Sequence, residues 1–230
     1  MTRANHLPHG ERDRPRQSAP AIARRTALQW LGASSLTLLA PAAFAETLQR
    51  TPRQAKGPYY PDRLPLDTDN DLIVISDSLT PAVGQILHLD GTVRDRRGNP
   101  LRNAVVEIWQ CDSRGYYIHS DDRRPGKSDD NFQGYGRFET DSAGAYRFRT
   151  IRPVPYGRGG RPPHIHFQIT AKGHKRLVTQ MYAPRDPNNP RDPVLRAASR
   201  SATRRRLTPA MRPVPESTIG ELQTTFDLVL

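Results

Sequence analysis

The stretch from Tyr156 to Phe167 reads Tyr-Gly-Arg-Gly-Gly-Arg-Pro-Pro-His-Ile-His-Phe. Side chains two apart on an extended segment share a face, so a strand here projects His164 and His166 to one side and Ile165 to the other. Two imidazoles on one face suit a single metal ion, although a His-x-His pair equally suits two partly exposed rings hydrogen-bonded to their neighbours. The Gly and Pro residues before them read as a loop whose bends can return the Tyr156 phenol to the same place. Tyr116 and Tyr117, which follow Gly115 after a strand that ends near Trp109, offer further candidate phenols.

A phenol titrates at about 10, so it binds metal well only when the ion is acidic enough to displace its proton. Ferric iron does so, and zinc gains less. Two tyrosinates and a hydroxide balance the charge of ferric iron, and two neutral imidazoles complete five-coordination. Packing, with the hydroxyls in hydrogen bonds, is the alternative for the tyrosines. A zinc hydrolase is a third chemistry, but no Asp or Glu stands at ligand or base spacing to the histidines. Cys111 is the only cysteine, which excludes an intrachain disulfide and cysteine-rich zinc or iron-sulfur sites.

The formal net charge is +12, yet the arginines are spread along the whole chain without interleaved aromatics. No nucleic-acid partner is expected; small anions or a solvated basic surface fit better. At 230 residues the chain has room for one full domain and a leader.

The elements that must hold these side chains read as strands. Ile86 opens the series with His88 to Val93. The turn Asp95-Arg96-Arg97-Gly98-Asn99-Pro100 joins it to Ala104–Gln110, where Val106 and Ile108 share a face. A second hairpin follows the same grammar: Gly136 to Thr140, the turn Asp141–Gly144, then Ala145 to Ile151 with Tyr146, Phe148 and Thr150 alternating with Arg147 and Arg149. Further strands are expected at His164–Thr170, Leu177–Tyr182 and the terminal Thr225–Leu230, with a short helix near Asp192 to Ser201. Residues 46–85, rich in Pro, Asp and Arg, read as an extended arm laid over the domain. The expected fold is all-β, an antiparallel β-sandwich over residues 86–230 with an N-terminal arm, long loops and little helix.

At this point the chain resembles a known family, the intradiol ring-cleavage dioxygenases, and within it the iron-bearing subunits of the protocatechuate type. The marks are Thr51-Pro52-Arg53-Gln54 with Gly57-Pro58-Tyr59, Val106-Glu107-Ile108-Trp109-Gln110, Gly115-Tyr116-Tyr117-Ile118-His119, Tyr146-Arg147-Phe148-Arg149-Thr150-Ile151, Arg161-Pro162-Pro163-His164-Ile165-His166-Phe167, Thr179-Gln180-Met181-Tyr182 and Phe226-Asp227-Leu228-Val229-Leu230. Their order runs through nearly the whole chain after the leader. The resemblance implies that Tyr117, Tyr156, His164 and His166 bind one non-haem mononuclear Fe(III). It also implies that Arg161 stabilises negative charge on the substrate and that Gln180 lies near it. The implied reaction takes a small aromatic diol and O2 to a cis,cis-muconate-type diacid, with Tyr156 leaving the metal to accept a substrate proton.

The Tyr156 to Arg161 loop is shorter than in protocatechuate enzymes and has Gly157-Arg158-Gly159-Gly160 in place of aromatic residues, so substrate identity stays open. Arg158 reads equally as a partner for an acidic substituent or as a solvated loop arginine. A secreted β-sandwich binding module without ring-cleavage activity is the competing function. The family tends to oligomerise, which leaves a homo-oligomer open, with the arm at Gly57–Pro61 able to reach a neighbouring subunit's site.

Residues 1–45 combine Arg24-Arg25, a moderately apolar run from Trp30 to Ala43, and Ala43-Phe44-Ala45. This is the layout of an export signal of the twin-arginine type, with cleavage after Ala45 and no membrane span in the mature chain, which would be periplasmic or secreted. Removing it takes +4 from the charge and leaves +8. Replacing both Arg24 and Arg25 with Lys should trap the precursor in the cytoplasm, read by immunoblotting of cell fractions; undiminished export would rule out the twin-arginine route.

Overall fold

A computed structural model describes residues 47–230 except 77–78, 123–125, 157–159 and 199–200. The export-signal reading and Arg158 lie outside the described residues. No described helix is long and apolar enough to cross a membrane.

Two sheets face each other. One has the order β4-β1-β8-β7, from Ala145–Ile151, Ile86–Arg94, Leu222–Thr225 and Arg212–Pro213, with β9 (Leu228–Val229) also on β1; the other is β3-β2-β5-β6, from Tyr135–Glu139, Val105–Trp109, His164–Thr170 and Leu177–Tyr182. Alternation fills the space between them: Leu87, Leu89 and Val93 of β1 and Tyr146 and Phe148 of β4 meet Val106 and Ile108 of β2 and Ile165, Phe167 and Ile169 of β5. Among the described residues, helix is confined to α1 (Pro193–Ala197), α2 (Ser201–Leu207) and a 3-10 turn at Asn189–Arg191.

Two expectations need correction. Neither expected hairpin is one, because β1 and β2, like β3 and β4, belong to opposite sheets. The turn chemistry itself is as read: Asp95 accepts from the Asn99 backbone at 2.9 Å, and Asp141 from the Ala145 backbone at 2.9 Å. After the first turn, however, Thr140 captures the chain, its hydroxyl accepting from the Ala104 backbone at 2.8 Å and donating to the Leu101 carbonyl at 2.6 Å. Local turn residues reverse a chain without dictating whether the strands they join pair or pass between layers.

The terminal strand is likewise divided. β8 and β9 both run parallel to β1, and between them Phe226 enters the core while the Asp227 carboxylate accepts from the Thr92 backbone at 2.9 Å and hydroxyl at 2.8 Å.

The arm is more than a cover. Leu72 and Ile73 are fully buried in the core, the Leu72 backbone donates to the Arg149 carbonyl at 2.8 Å, and Asp71 pairs with Arg149 at 2.9 Å. Thr51 donates its backbone N–H to the Val229 carbonyl at 3.0 Å and accepts from the Val229 backbone at 2.9 Å through its hydroxyl. Leu72→Ala should therefore cost about 2–5 kcal/mol in chemical denaturation, as for a core strand residue. A cost below about 0.5 kcal/mol, the range of surface substitutions, would show that the arm is not part of the core.

Candidate functional site

Register decides what the outer face of the β3-β2-β5-β6 sheet presents. Pairing of Trp109 with Tyr135 and His166, and of His166 with Gln180, lines up Tyr135, Trp109, His166 and Gln180 in one row. The next positions along the strands pair Glu107 with Arg137 and Gln168, and His164 with Tyr182. Paired residues share a face, so the whole candidate site grows from the side of the sheet turned away from the sandwich core.

That face is nevertheless covered: His164 is 1% exposed, His166 2% and Gln180 0%. The arm does much of the covering. The Gln54 backbone donates to the Val178 carbonyl at 2.8 Å, its side chain accepts from the Gln180 backbone at 2.8 Å, and the Gln180 amide donates to the Ala55 carbonyl at 2.9 Å. Gly57 has a φ of +77° and lies so close that an added Cβ would stand 3.3 Å from His166 Cε1. Tyr59 then stacks on Tyr117 at 4.9 Å and meets Tyr156 edge-on at 5.8 Å. The arm thus reaches the site of its own chain.

Tyr117 comes from the loop after β2. Asp122 accepts from its backbone at 2.8 Å, and Asp112 accepts from the Arg114 and Tyr116 backbones, both at 2.9 Å. Gly115, at φ +87°, lets this loop lie against Tyr156, whose Cα would be 3.6 Å from a Cβ there. Tyr156 and Arg161 bridge as an isolated antiparallel backbone pair.

The four side chains singled out in the sequence are thereby brought together. Ring centroids lie 5.0 Å apart for Tyr117 and Tyr156, 5.5 Å for Tyr156 and His164, 4.7 Å for His164 and His166, and 6.0 Å for His166 and Tyr117. His164 Nδ1 faces the Pro162 carbonyl at 2.6 Å. Only an N–H can face a carbonyl, so the Nε2 lone pair is left for another partner. Nε2 of His166 stands 3.2 Å from it. Two nitrogens each about 2.1 Å from one ion, at roughly 90–110° around it, would be about 3.0–3.4 Å apart, so the pair fits a shared metal.

Burial, followed by Arg161, lowers the His164 pKa to about 4; burial, then His164 and Arg161, push His166 well below its usual value. Both rings are therefore neutral, the form that binds metal. Among the described residues no group of three or more His, Cys, Asp or Glu side chains could hold a metal, so a site at these imidazoles needs other donors, and the adjacent phenols are the ones present. Burial raises the Tyr156 pKa while Arg161 works against the rise.

Arg161 stands at the edge of this ring of side chains, its Nη1 3.3 Å from His164 Nε2. Its Nη2 donates to Gln180 at 3.0 Å and to the Tyr182 hydroxyl at 3.1 Å. Gln180 therefore positions the guanidinium while bridging to the arm.

Several contributors escaped sequence reasoning. Trp109 stacks on His166 at 4.7 Å with an 8° interplanar angle. Glu107 accepts from the hydroxyls of Tyr60 and Tyr135, both at 2.7 Å, and from Gln168 at 2.6 Å; burial and this carboxylate raise the Tyr60 pKa to about 12. Tyr182 was within reach of strand periodicity, two residues beyond Gln180 on the same face. Trp109 and Glu107 required the β2–β5 register, which no local pattern reveals.

Comparison with known proteins agrees with this geometry. A family model described as Dioxygenase matches residues 55–230. The chain is 38% identical over 146 residues to the protocatechuate 3,4-dioxygenase beta chain of Burkholderia cepacia, covering 61% of this chain and 62% of that one. The chain spans less than two thirds of the length of the curated relatives it matches. Among solved structures, the dioxygenase domain of a dioxygenase and carbohydrate-binding protein fusion from Streptomyces sp. SirexAA-E superposes with a TM-score of 0.57 at 28% identity, covering 79% of this chain and 98% of that one. Catechol 1,2-dioxygenase from Acinetobacter sp. ADP1 gives 0.59 at 29% identity, covering 78% and 62%. With most of its length matched by the family model, and its relatives being ring-cleaving dioxygenases of protocatechuate and catechol, the chain belongs to the intradiol ring-cleavage dioxygenase family.

Proposed function

We propose that the protein is a non-haem Fe(III) intradiol dioxygenase that opens the ring of a catechol-type, protocatechuate-like diol with O2 to a cis,cis-muconate-type diacid. The observation that carries this reading is the convergence of two neutral imidazoles and two phenols, with the His164 and His166 Nε2 atoms 3.2 Å apart. Tyr117, Tyr156, His164 and His166 would hold the iron. Ferric iron supplies the electron demand that makes a catecholate ring reactive toward O2.

The remaining work falls to the chain's own groups. Tyr59, Tyr117 and Tyr156 make an aromatic wall suited to a planar ring. Having given up its proton to bind iron, Tyr156 would offer a phenolate oxygen as acceptor for a substrate proton, and its backbone pairs with that of Arg161. Arg161 presents a fixed positive charge where negative charge develops on the substrate, at no reorganisation cost. The arm covers the site by packing Gly57 against His166 and Tyr59 against Tyr117 and Tyr156.

Iron-loaded protein should be red-brown from tyrosinate-to-iron charge transfer, and Tyr117→Phe and His164→Ala should each bleach it. A colourless wild-type protein without iron by metal analysis would overturn the reading. Oxygen uptake with catechol, protocatechuate and hydroxyquinol should identify at least one substrate; uptake with none would leave a binding module. Arg161→Ala should lower kcat/KM for that substrate by about a hundredfold or more, and full turnover would remove Arg161 from the mechanism.

A further inference from the structure

The polar stretch from Pro184 to Pro215 carries no motif, yet it delivers one side chain into the site. Asp192 is a carboxylate with 1% of its side chain exposed, directly before α1. Its Oδ2 accepts from Arg161 Nε at 2.9 Å and its Oδ1 from Arg161 Nη2 at 3.0 Å, a two-point grip on one edge of the guanidinium. Oδ1 also accepts from the Leu195 backbone at 2.8 Å, capping α1.

A guanidinium has five N–H donors in a rigid plane. Asp192 takes Nε–H and one hydrogen of Nη2, while Gln180 and the Tyr182 hydroxyl share the other. The opposite edge, Nη1, is the one left facing His164 Nε2 at 3.3 Å. A lone pair given to a metal is no longer available to Arg161, so the Nη1 hydrogen that faces His164 would then turn to oxygen atoms of a ligand, beside the Tyr156 hydroxyl that also interacts with the guanidinium. Without the carboxylate, the same guanidinium would set an uncompensated positive charge beside the metal ligands.

We propose that Asp192 is a positioning residue for Arg161: it fixes which edge of the guanidinium faces the metal site and cancels the charge that would otherwise repel the cation. The inference rests on the metal reading above. A cap alone is the competing role, and the two separate cleanly, because Asn caps a helix about as well as Asp but carries no charge.

The test is a double-mutant cycle on metal-free protein titrated with Zn(II) as a redox-silent probe, comparing wild type, Asp192→Asn, Arg161→Gln and the double variant. Asp192→Asn should bind zinc at least about tenfold more weakly, and the double variant should return to within about threefold of wild type, since removing both charges leaves no net change. Equal affinity in Asp192→Asn and wild type, or a double variant as weak as Asp192→Asn, would overturn the proposal. An unpaired buried guanidinium can prevent folding. In that case Arg161→Gln should bind zinc more tightly than wild type and lose the gain when Asp192→Asn is added; equal affinities in those two variants would overturn it as well. Wild-type protein that takes up neither zinc nor ferric iron removes the metal reading and this inference with it; where it takes up iron alone the same cycle is read with iron, and metal binding that ignores Asp192 removes this inference alone.

Discussion

Strand β5 obeys two environments at once. Its alternation sends Ile165, Phe167 and Ile169 into the sandwich and His164, His166 and Gln168 to the opposite face, yet all six are buried. A sheet face that carries imidazoles and amides is covered in this way only if each polar atom is given a partner or a ligand. Much of what surrounds β5 answers that demand. The arm supplies Gln54 and the Ala55 carbonyl, β2 supplies the stacked Trp109 and the Glu107 carboxylate, and the following loops supply two phenols. His166 Nδ1 is a buried atom without a hydrogen-bond partner among the described residues.

The electrostatics follow from the same burial. Removing the imidazoles from water keeps them neutral and ready as ligands, while Arg161, a cation throughout, has its charge met by Asp192. Burial alone would raise the Asp192 pKa, and the bonds from Arg161 and the Leu195 backbone outweigh it, so the carboxyl is held below its usual value. A buried ion pair of this kind contributes little net stability, since both charges lose their hydration. Its value here lies in a planar cation fixed at one edge with its charge offset. The Glu107 cluster serves stiffness more than chemistry, tying Tyr60 and Tyr135 around the Trp109 ring that backs His166.

Period-two patterning was enough to find the principal strands and to place His164 and His166 on one face, because alternation is local and both sheets obey it. Tyr117, Tyr156, Arg161 and Gln180 were legible through ordered motifs, and the structure brings them into one place. The sheet partnership of the strands was not legible: the turns at Asp95 and Asp141 look like hairpin turns and instead lead from one layer to the other. Leu72 and Ile73 fall within the stretch read as an arm, because nothing in the four-residue apolar run Leu72–Ile75 says which surface it enters. Asp192 stands 31 positions from Arg161, and its meeting with Arg161 depends on the path of the intervening loop. Tyr59 belonged to a conspicuous run whose destination only the folded arm shows.

The central claim is that two imidazoles on one strand face and two loop phenols enclose a single ferric ion. Anomalous diffraction at the iron absorption edge, from crystals of iron-loaded protein, measures this directly. The account predicts one peak per chain, bounded by Nε2 of His164 and His166 and the hydroxyl oxygens of Tyr117 and Tyr156. A peak among carboxylates elsewhere, or none at this position in protein that carries iron in solution, would contradict it.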